Sequence, residues 1–182
     1  EYTSLPEPGF PFPFLITVIY SLDSEGCLTV RTKLQNVGVS NMPAGFGWHP
    51  YFTLGAPIDQ LYFSLPERNE IMVDSRLLPT GELIERNARF SQIIGEDFFD
   101  TGFQFFEGKQ VELIDKSTKT LLQLTCGEGF DYLQVFTPPW RTAIALEPMT
   151  CAADAFNNGL GLKILTPGDE MEASFSVQVR CQ

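Results

Sequence analysis

The only histidine of this 182-residue chain, His49, stands in the stretch GWHPYF at residues 47–52. Imidazole is the one side chain whose ordinary pKa lies near neutral pH, so His49 is a candidate for proton transfer. Glu147 is a second candidate because it follows the apolar run 143–146, which predicts partial burial of its carboxylate. Burial raises the pKa of a carboxyl group toward the range in which it works as a general base.

Both candidates directly precede a proline, Pro50 and Pro148. The residue before a proline is held in an extended backbone, so both side chains stand on stiffened positions that suit catalytic groups. The residue types alone leave a plainer alternative open, in which both are ordinary side chains at strand ends.

The elements that must position these residues are strands. Apolar and polar side chains alternate strictly from Met171 to Arg180, which is typical of a strand with one buried face. Further strands are predicted at 14–22, 27–35, 111–115 and 120–126, and around 60–65, 131–137 and 141–147. One short helical turn is predicted within 152–158, and the stretch 86–109 is interpreted as a long connection carrying aromatic anchors.

The fold class predicted from this pattern is all-β, an antiparallel β-sandwich. The chain holds 13 prolines and 15 glycines at short intervals, and no linker divides it. We therefore expect residues 1–182 to belong to a single β-sandwich domain.

Composition excludes several classes of function. A formal net charge of −11 argues against nucleic acid and anionic membranes as partners, and favours a neutral small molecule. The four scattered cysteines and the single histidine make a metal site or a disulfide framework improbable, so reduced thiols in a cytoplasmic protein are expected. No apolar run approaches the roughly 20 residues needed to cross a bilayer.

Three stretches resemble the aldose 1-epimerase (galactose mutarotase) family. NMPAGFGWHPYFTLG (41–55) resembles its histidine motif, and residues 131–177 resemble the segment around its catalytic glutamate, including the turn L-x-PG-[DE]. Residues 10–38 are similar to the hairpin that precedes the histidine. The three follow one another in the family's order.

The resemblance implies a fold, an activity and roles for particular residues. The fold would be the family's large β-sandwich, the supersandwich, and the protein would be an isomerase of carbohydrate metabolism that interconverts the α and β anomers of an aldohexose. His49 would be the general acid, Glu147 the general base, and no cofactor or metal would be needed. Asp131, with Glu128 as a competitor, would bind sugar hydroxyls. The aromatic candidates for stacking on the sugar are Trp48, Tyr51, Phe52 and Trp140.

The sequence also departs from the family. Members of the family usually carry a second active-site histidine and an arginine upstream of the HPYF segment. This chain has no histidine there, and only 48 residues precede His49. We therefore expect the chain to correspond to the C-terminal portion of such a protein, without its N-terminal strands.

Three other functions stay open at this stage. A hexose-phosphate epimerase of the same superfamily would need a cationic cradle, for which Arg141 is the candidate in the site segments. A non-catalytic carbohydrate-binding β-sandwich would use the aromatic side chains alone. A glycosidase would pair Glu147 with Asp131 or Glu128. The identity of the sugar and the oligomeric state are left undetermined.

Overall fold

The structure is a computed structural model that describes residues 1–106 and 108–181. Almost all of its regular structure is β. The strands are β1 (Tyr2–Ser4), β2 (Phe14–Leu22), β3 (Leu28–Asn36), β4 (Met42–Ala44), β5 (Tyr51–Phe52), β6 (Tyr62–Leu65), β7 (Arg68–Val73), β8 (Pro79–Arg86), β9 (Phe90–Ile93), β10 (Asp100–Phe105), β11 (Gln110–Asp115), β12 (Thr120–Cys126), β13 (Tyr132–Phe136), β14 (Ile144–Met149), β15 (Lys163–Leu165) and β16 (Glu170–Cys181). A 3-10 turn spans Ile58–Gln60, and one short helix, α1, spans Ala155–Asn158.

The strands form two large sheets and one small one. The first sheet has eight strands in the order β1-β2-β3-β16-β12-β11-β6-β9, and the second has six in the order β5-β14-β13-β10-β7-β8. Strands β15 and β4 make a two-stranded sheet, and neighbouring strands in all three are antiparallel. The predicted antiparallel β-sandwich is therefore confirmed.

The core lies between the two large sheets. Alternate residues of the central strands point into it, as the period of two requires. The eight-stranded sheet contributes fully or nearly fully buried side chains such as Phe63, Leu113, Leu124 and Phe175, and the six-stranded sheet contributes Phe103, Leu133, Val135 and Leu146. Burying side chains of this size stabilises the fold by roughly 1.5–3 kcal/mol each.

The predicted hairpins are present with only small changes at their ends. Strands β2 and β3 pair from Phe14–Asn36 to Leu22–Leu28, and β11 pairs with β12 across the turn that carries Ser117. The alternating stretch before the C-terminus forms β16, which pairs with β3 on one side and β12 on the other.

The interpretation of 86–109 as a long connection is wrong. This stretch contains two strands, β9 and β10. Phe103 and Phe105 of β10 are buried in the core. The acidic and glycine residues that interrupt the pattern belong to the outer face and the turns of these strands. Phe98 is exposed, as an aromatic side chain at a rim would be.

The predicted helical turn within 152–158 corresponds to α1. Both residues that flank it, Asp154 and Gly159, have left-handed backbones, which limits the helix to a single turn. In the part of the chain that the structure describes, no helix is long and apolar enough to span a membrane.

Candidate active site

The two candidate residues lie side by side on the outer face of the six-stranded sheet. Gly47 pairs with Met149, and Tyr51 pairs with Ala145, which places His49 directly opposite Glu147. The His49 Nε2 and Glu147 Oε1 atoms are 3.2 Å apart. This distance brings an imidazole and a carboxylate within reach of each other near one edge of the sheet.

The two side chains differ in exposure. The imidazole of His49 is 55% exposed, whereas the side chain of Glu147 is only 12% exposed. Pro50 and Pro148 lie inside the two paired backbones, where the Trp48 N–H donates to the Pro148 carbonyl and the Leu146 N–H donates to the Pro50 carbonyl. The imidazole is thus accessible to a ligand, and the carboxylate is held against the sheet.

Burial raises the pKa of the Glu147 carboxyl group above its ordinary value. The charge of His49 opposes this rise, and the negative charge of Asp100 adds to it. A raised pKa makes the ionised Glu147 carboxylate a stronger base than an exposed glutamate, as a group that takes up and releases protons requires.

Two polar residues that the sequence analysis missed extend the row across the sheet. Gln134 pairs with Glu147 on the neighbouring strand β13, and Gly102 of β10 pairs with Gln134. Asp100, two residues before Gly102, accepts a hydrogen bond of 2.9 Å from Gln134 Nε2. Asp100 and Gly102 share one face of β10 because side chains two residues apart in a strand point the same way. The sequence signal for them is this strand, which lies inside the stretch 86–109 interpreted as a connection.

The aromatic side of the cluster is formed by Tyr51 and Trp140. The ring of Tyr51 stacks on the imidazole of His49 with centroids 5.0 Å apart and planes at 29°. Trp140 lies next to Tyr51, with 6.4 Å between ring centroids, and is exposed. Tyr51 and Trp140, two of the four predicted aromatic residues, therefore stand at the edge of the cluster, where a ligand can contact them.

The structure does not bring Trp48 into this cluster, which corrects the position expected of it. Neighbouring residues of an extended strand point to opposite faces, so Trp48 points inward when His49 points outward. The Trp48 indole N–H donates to Thr32 Oγ1 at 3.0 Å, and its ring packs beside Phe175 in the core. Phe52 likewise packs against the core.

Asp131 also lies away from the cluster, and its expected position is corrected. It precedes β13 by one residue, and its carboxylate forms an ion pair with Lys109. Its competitor Glu128 lines a shallow cavity on the eight-stranded sheet together with Arg31 and Glu172. Neither carboxylate stands beside Glu147, so the pairing that a glycosidase would require is not formed by these residues.

Arg141, the candidate cation for a phosphate, is engaged elsewhere. It forms an ion pair with Asp59 and donates to the carbonyl oxygens of Gly95 and Asp97 at 2.7 and 3.2 Å.

Within residues 1–106 and 108–181, no group of three or more His, Cys, Asp and Glu side chains is placed to hold a metal ion.

Known structures share this fold. A galactose mutarotase-like protein from Clostridium acetobutylicum superposes with a TM-score of 0.82 at 20% identity, and the match covers 100% of this chain and 61% of that one. Galactose 1-epimerase from Lactobacillus acidophilus NCFM superposes with a TM-score of 0.82 at 17% identity, covering 98% of this chain and 61% of that one.

Sequence comparison gives a more specific result. The chain is 30% identical over 179 residues to an uncharacterized protein of Escherichia coli K12 called YihR, which covers 94% of this chain. The chain spans 58% of the length of that relative. A sequence profile described as aldose 1-epimerase matches residues 1–178. The chain therefore belongs to the aldose 1-epimerase family.

Proposed function

We propose that the protein is an aldose 1-epimerase, a mutarotase that interconverts the α and β anomers of an uncharged hexose. The observation that carries the proposal is the 3.2 Å approach of His49 Nε2 to Glu147 Oε1 on an accessible sheet face. Family membership supports the reaction class, an isomerase that acts on a sugar.

The chemistry requires one acid and one base. In the opening step, the Glu147 carboxylate takes the proton of the anomeric hydroxyl while the C1–O5 bond breaks. The His49 imidazolium donates its proton to the leaving ring oxygen, so that the open-chain aldehyde forms with neutral imidazole and protonated Glu147. Each such proton transfer contributes roughly 100- to 10,000-fold to the rate.

Ring closure follows rotation about the C1–C2 bond and reverses the roles of the two side chains. Neutral His49 takes the proton of the O5 hydroxyl, which attacks the other face of the aldehyde. Protonated Glu147 returns its proton to the carbonyl oxygen, and the starting protonation states are restored. No electron, proton or group is consumed, so this cycle uses only the two side chains.

The surrounding residues support binding of a sugar. Gln134 and Asp100 offer an amide and a carboxylate to ring hydroxyls, next to the catalytic pair. Tyr51 and Trp140 offer aromatic faces at the other side, and such faces pack on the apolar face of a pyranose. The position of Arg141, turned to Asp59, argues against the phosphate-specific alternative.

Polarimetry tests the proposal directly. Freshly dissolved α-D-glucose and α-D-galactose should approach equilibrium faster with the protein, and the acceleration should be lost in a His49→Asn variant that keeps its circular dichroism spectrum. Binding of glucose that persists without any acceleration would instead indicate a carbohydrate-binding module. Hydrolysis of a glycoside would indicate a glycosidase.

A further inference from the structure

A small recess opens on the outer face of the six-stranded sheet, beside the proposed acid–base pair. Asp100 and Gln134 stand at its polar side. The rest of the recess is mainly apolar, with walls that include Ile71, Val73, Leu77, Pro79 and Met149. Its volume is about 50 Å³. A single water needs about 10–15 Å³ of such space, so the recess has room for only a few non-hydrogen atoms.

The floor of the recess is Gly102, in the interior of β10. Its backbone is not in the left-handed region, so the conformation does not itself require glycine. A Cβ atom at this position would lie 3.1 Å from Gln134 Oε1 and 3.4 Å from Ile71 Cδ1. Glycine weakens a strand and often marks a place where a ligand approaches the backbone closely. The absent side chain keeps this space open.

Leu77, which forms one wall of the recess, has an unfavourable backbone conformation. Leu77 has a φ of 62°, in the left-handed region, which costs a non-glycine residue roughly 1–2 kcal/mol. The side chain of Asp74 holds this turn by accepting the N–H groups of Arg76 and Leu78 at 2.8 and 3.1 Å. Leu77 is nevertheless 56% exposed. The turn therefore holds an apolar side chain at the recess instead of burying it.

The recess stands at the right separation from Glu147 for the far end of a pyranose. Glu147, Gln134 and Gly102 are partners on three adjacent strands, so the first and the last are about 10 Å apart along the row. A ring placed with its O1 at Glu147 and lying along this row would cover Gln134 and direct its C4 end at Gly102.

We propose that this recess is the specificity pocket of the site and receives the C4 end of a single, uncharged aldose ring. This inference rests on the proposed mutarotase function and adds the residues that determine its specificity at C4. Gly102 and Leu77 set the size of the recess, which excludes a second sugar linked through O4. A charged substituent at this end would be desolvated among apolar side chains beside the Asp100 carboxylate.

The test measures kcat/KM by polarimetry for D-glucose and for cellobiose, a reducing sugar substituted at O4. The wild-type protein should prefer glucose by about 10-fold or more, because a substituent that does not fit a pocket costs at least this much. Leu77→Ala should raise the cellobiose-to-glucose ratio several-fold. Gly102→Ala should lower kcat/KM for glucose by about 10-fold, chiefly through KM.

Thr101→Ala is the matched control, because Thr101 lies on the same strand and points to the other face. It should leave the sugar preference unchanged. Equal use of glucose and cellobiose by the wild-type protein, or a ratio that Leu77→Ala does not move, would overturn the assignment of the recess.

Saturation-transfer NMR separates this inference from the proposed function. If no sugar is isomerised faster, the mutarotase proposal fails, and binding alone decides the role of the recess. Glucose binding that Gly102→Ala weakens, with cellobiose binding gained in Leu77→Ala, would support the pocket in a binding protein. Absence of saturation transfer to both sugars would refute it.

Discussion

The outer faces of the two large sheets both carry charged side chains, but in different environments. On the eight-stranded sheet, Arg31 pairs with Glu172 at 2.8 Å and Lys33 pairs with Glu170 at 2.7 Å. These are opposite charges, and each side chain is about half exposed to solvent. Such pairs keep their hydration and contribute little to stability.

The six-stranded sheet instead gathers two carboxylates near one histidine. Asp100 and Glu147 repel each other, and Glu147 is largely removed from water. Folding alone gains nothing from like charges at such positions, because both desolvation and repulsion oppose ionisation. Perturbed titratable groups of this kind are typical of functional sites. Environment, more than residue type, therefore distinguishes Glu147 from the carboxylates of the solvated sheet face.

The sharpest test of this comparison replaces one glutamate on each sheet. Glu147→Gln removes the proposed base and should lower the catalysed rate by roughly 100- to 10,000-fold. Glu172→Gln removes a carboxylate of the same type from the other sheet and should leave the rate unchanged. Polarimetry on α-D-glucose measures both. Equal rates for the wild-type protein and Glu147→Gln would refute the proposed role of Glu147.

A second test asks whether the sheet that carries the site is held as firmly as the other. Leu146 of β14 and Leu124 of β12 are both fully buried in the shared core. Leu146→Ala and Leu124→Ala should each reduce the free energy of unfolding by about 2–5 kcal/mol, since each leaves a cavity. Urea denaturation followed by tryptophan fluorescence measures this. A much smaller effect for Leu146 would show that the site sheet packs more loosely.

A third test uses pH. Because Asp100 raises the pKa of Glu147, Asp100→Asn should lower it. The base works only when ionised, so activity falls as pH falls through this pKa, and the acidic limb of the kcat/KM profile should move to lower pH. Asp131→Asn, which removes the partner of Lys109, is the control and should not move the limb. Identical limbs in wild type and Asp100→Asn would contradict the coupling.

The smallest effect is expected on the eight-stranded sheet. Arg31→Ala breaks an exposed ion pair with Glu172 and should change the free energy of unfolding by less than about 1 kcal/mol. Added salt should reduce this difference further, because it screens the attraction between exposed charges. Thermal unfolding at low and high salt measures it, and a loss of several kcal/mol would show that this face is not an ordinary solvated surface.

Local sequence was sufficient for much of the fold. The alternation of apolar and polar residues predicts β2, β3, β12 and β16, because side-chain direction in a strand has a period of two. The position of His49 and Glu147 before prolines also predicts stiff, extended backbone at both sites.

Other features depend on which strands become neighbours. Asp100 and Gln134 are 34 residues apart, and only the pairing of β10 with β13 brings them into contact. The inward direction of Trp48 follows from the register that places His49 outside. The two-residue strand β5 and the proline before it do not reveal this register. Strand β10 was not predicted because the phenylalanines at 98, 99, 103, 105 and 106 are crowded among acidic and glycine positions, which obscures the alternation within the strand.

The sequence by itself therefore determined the all-β class, the longest strands and the two proton-transfer candidates, since alternation and residue type are local properties of the chain. The tertiary structure alone decided the partners of Glu147, the exclusion of Trp48 and Asp131 from the cluster, and the recess at Gly102. These depend on strand register, and a shift of one residue would turn every one of these side chains to the opposite face.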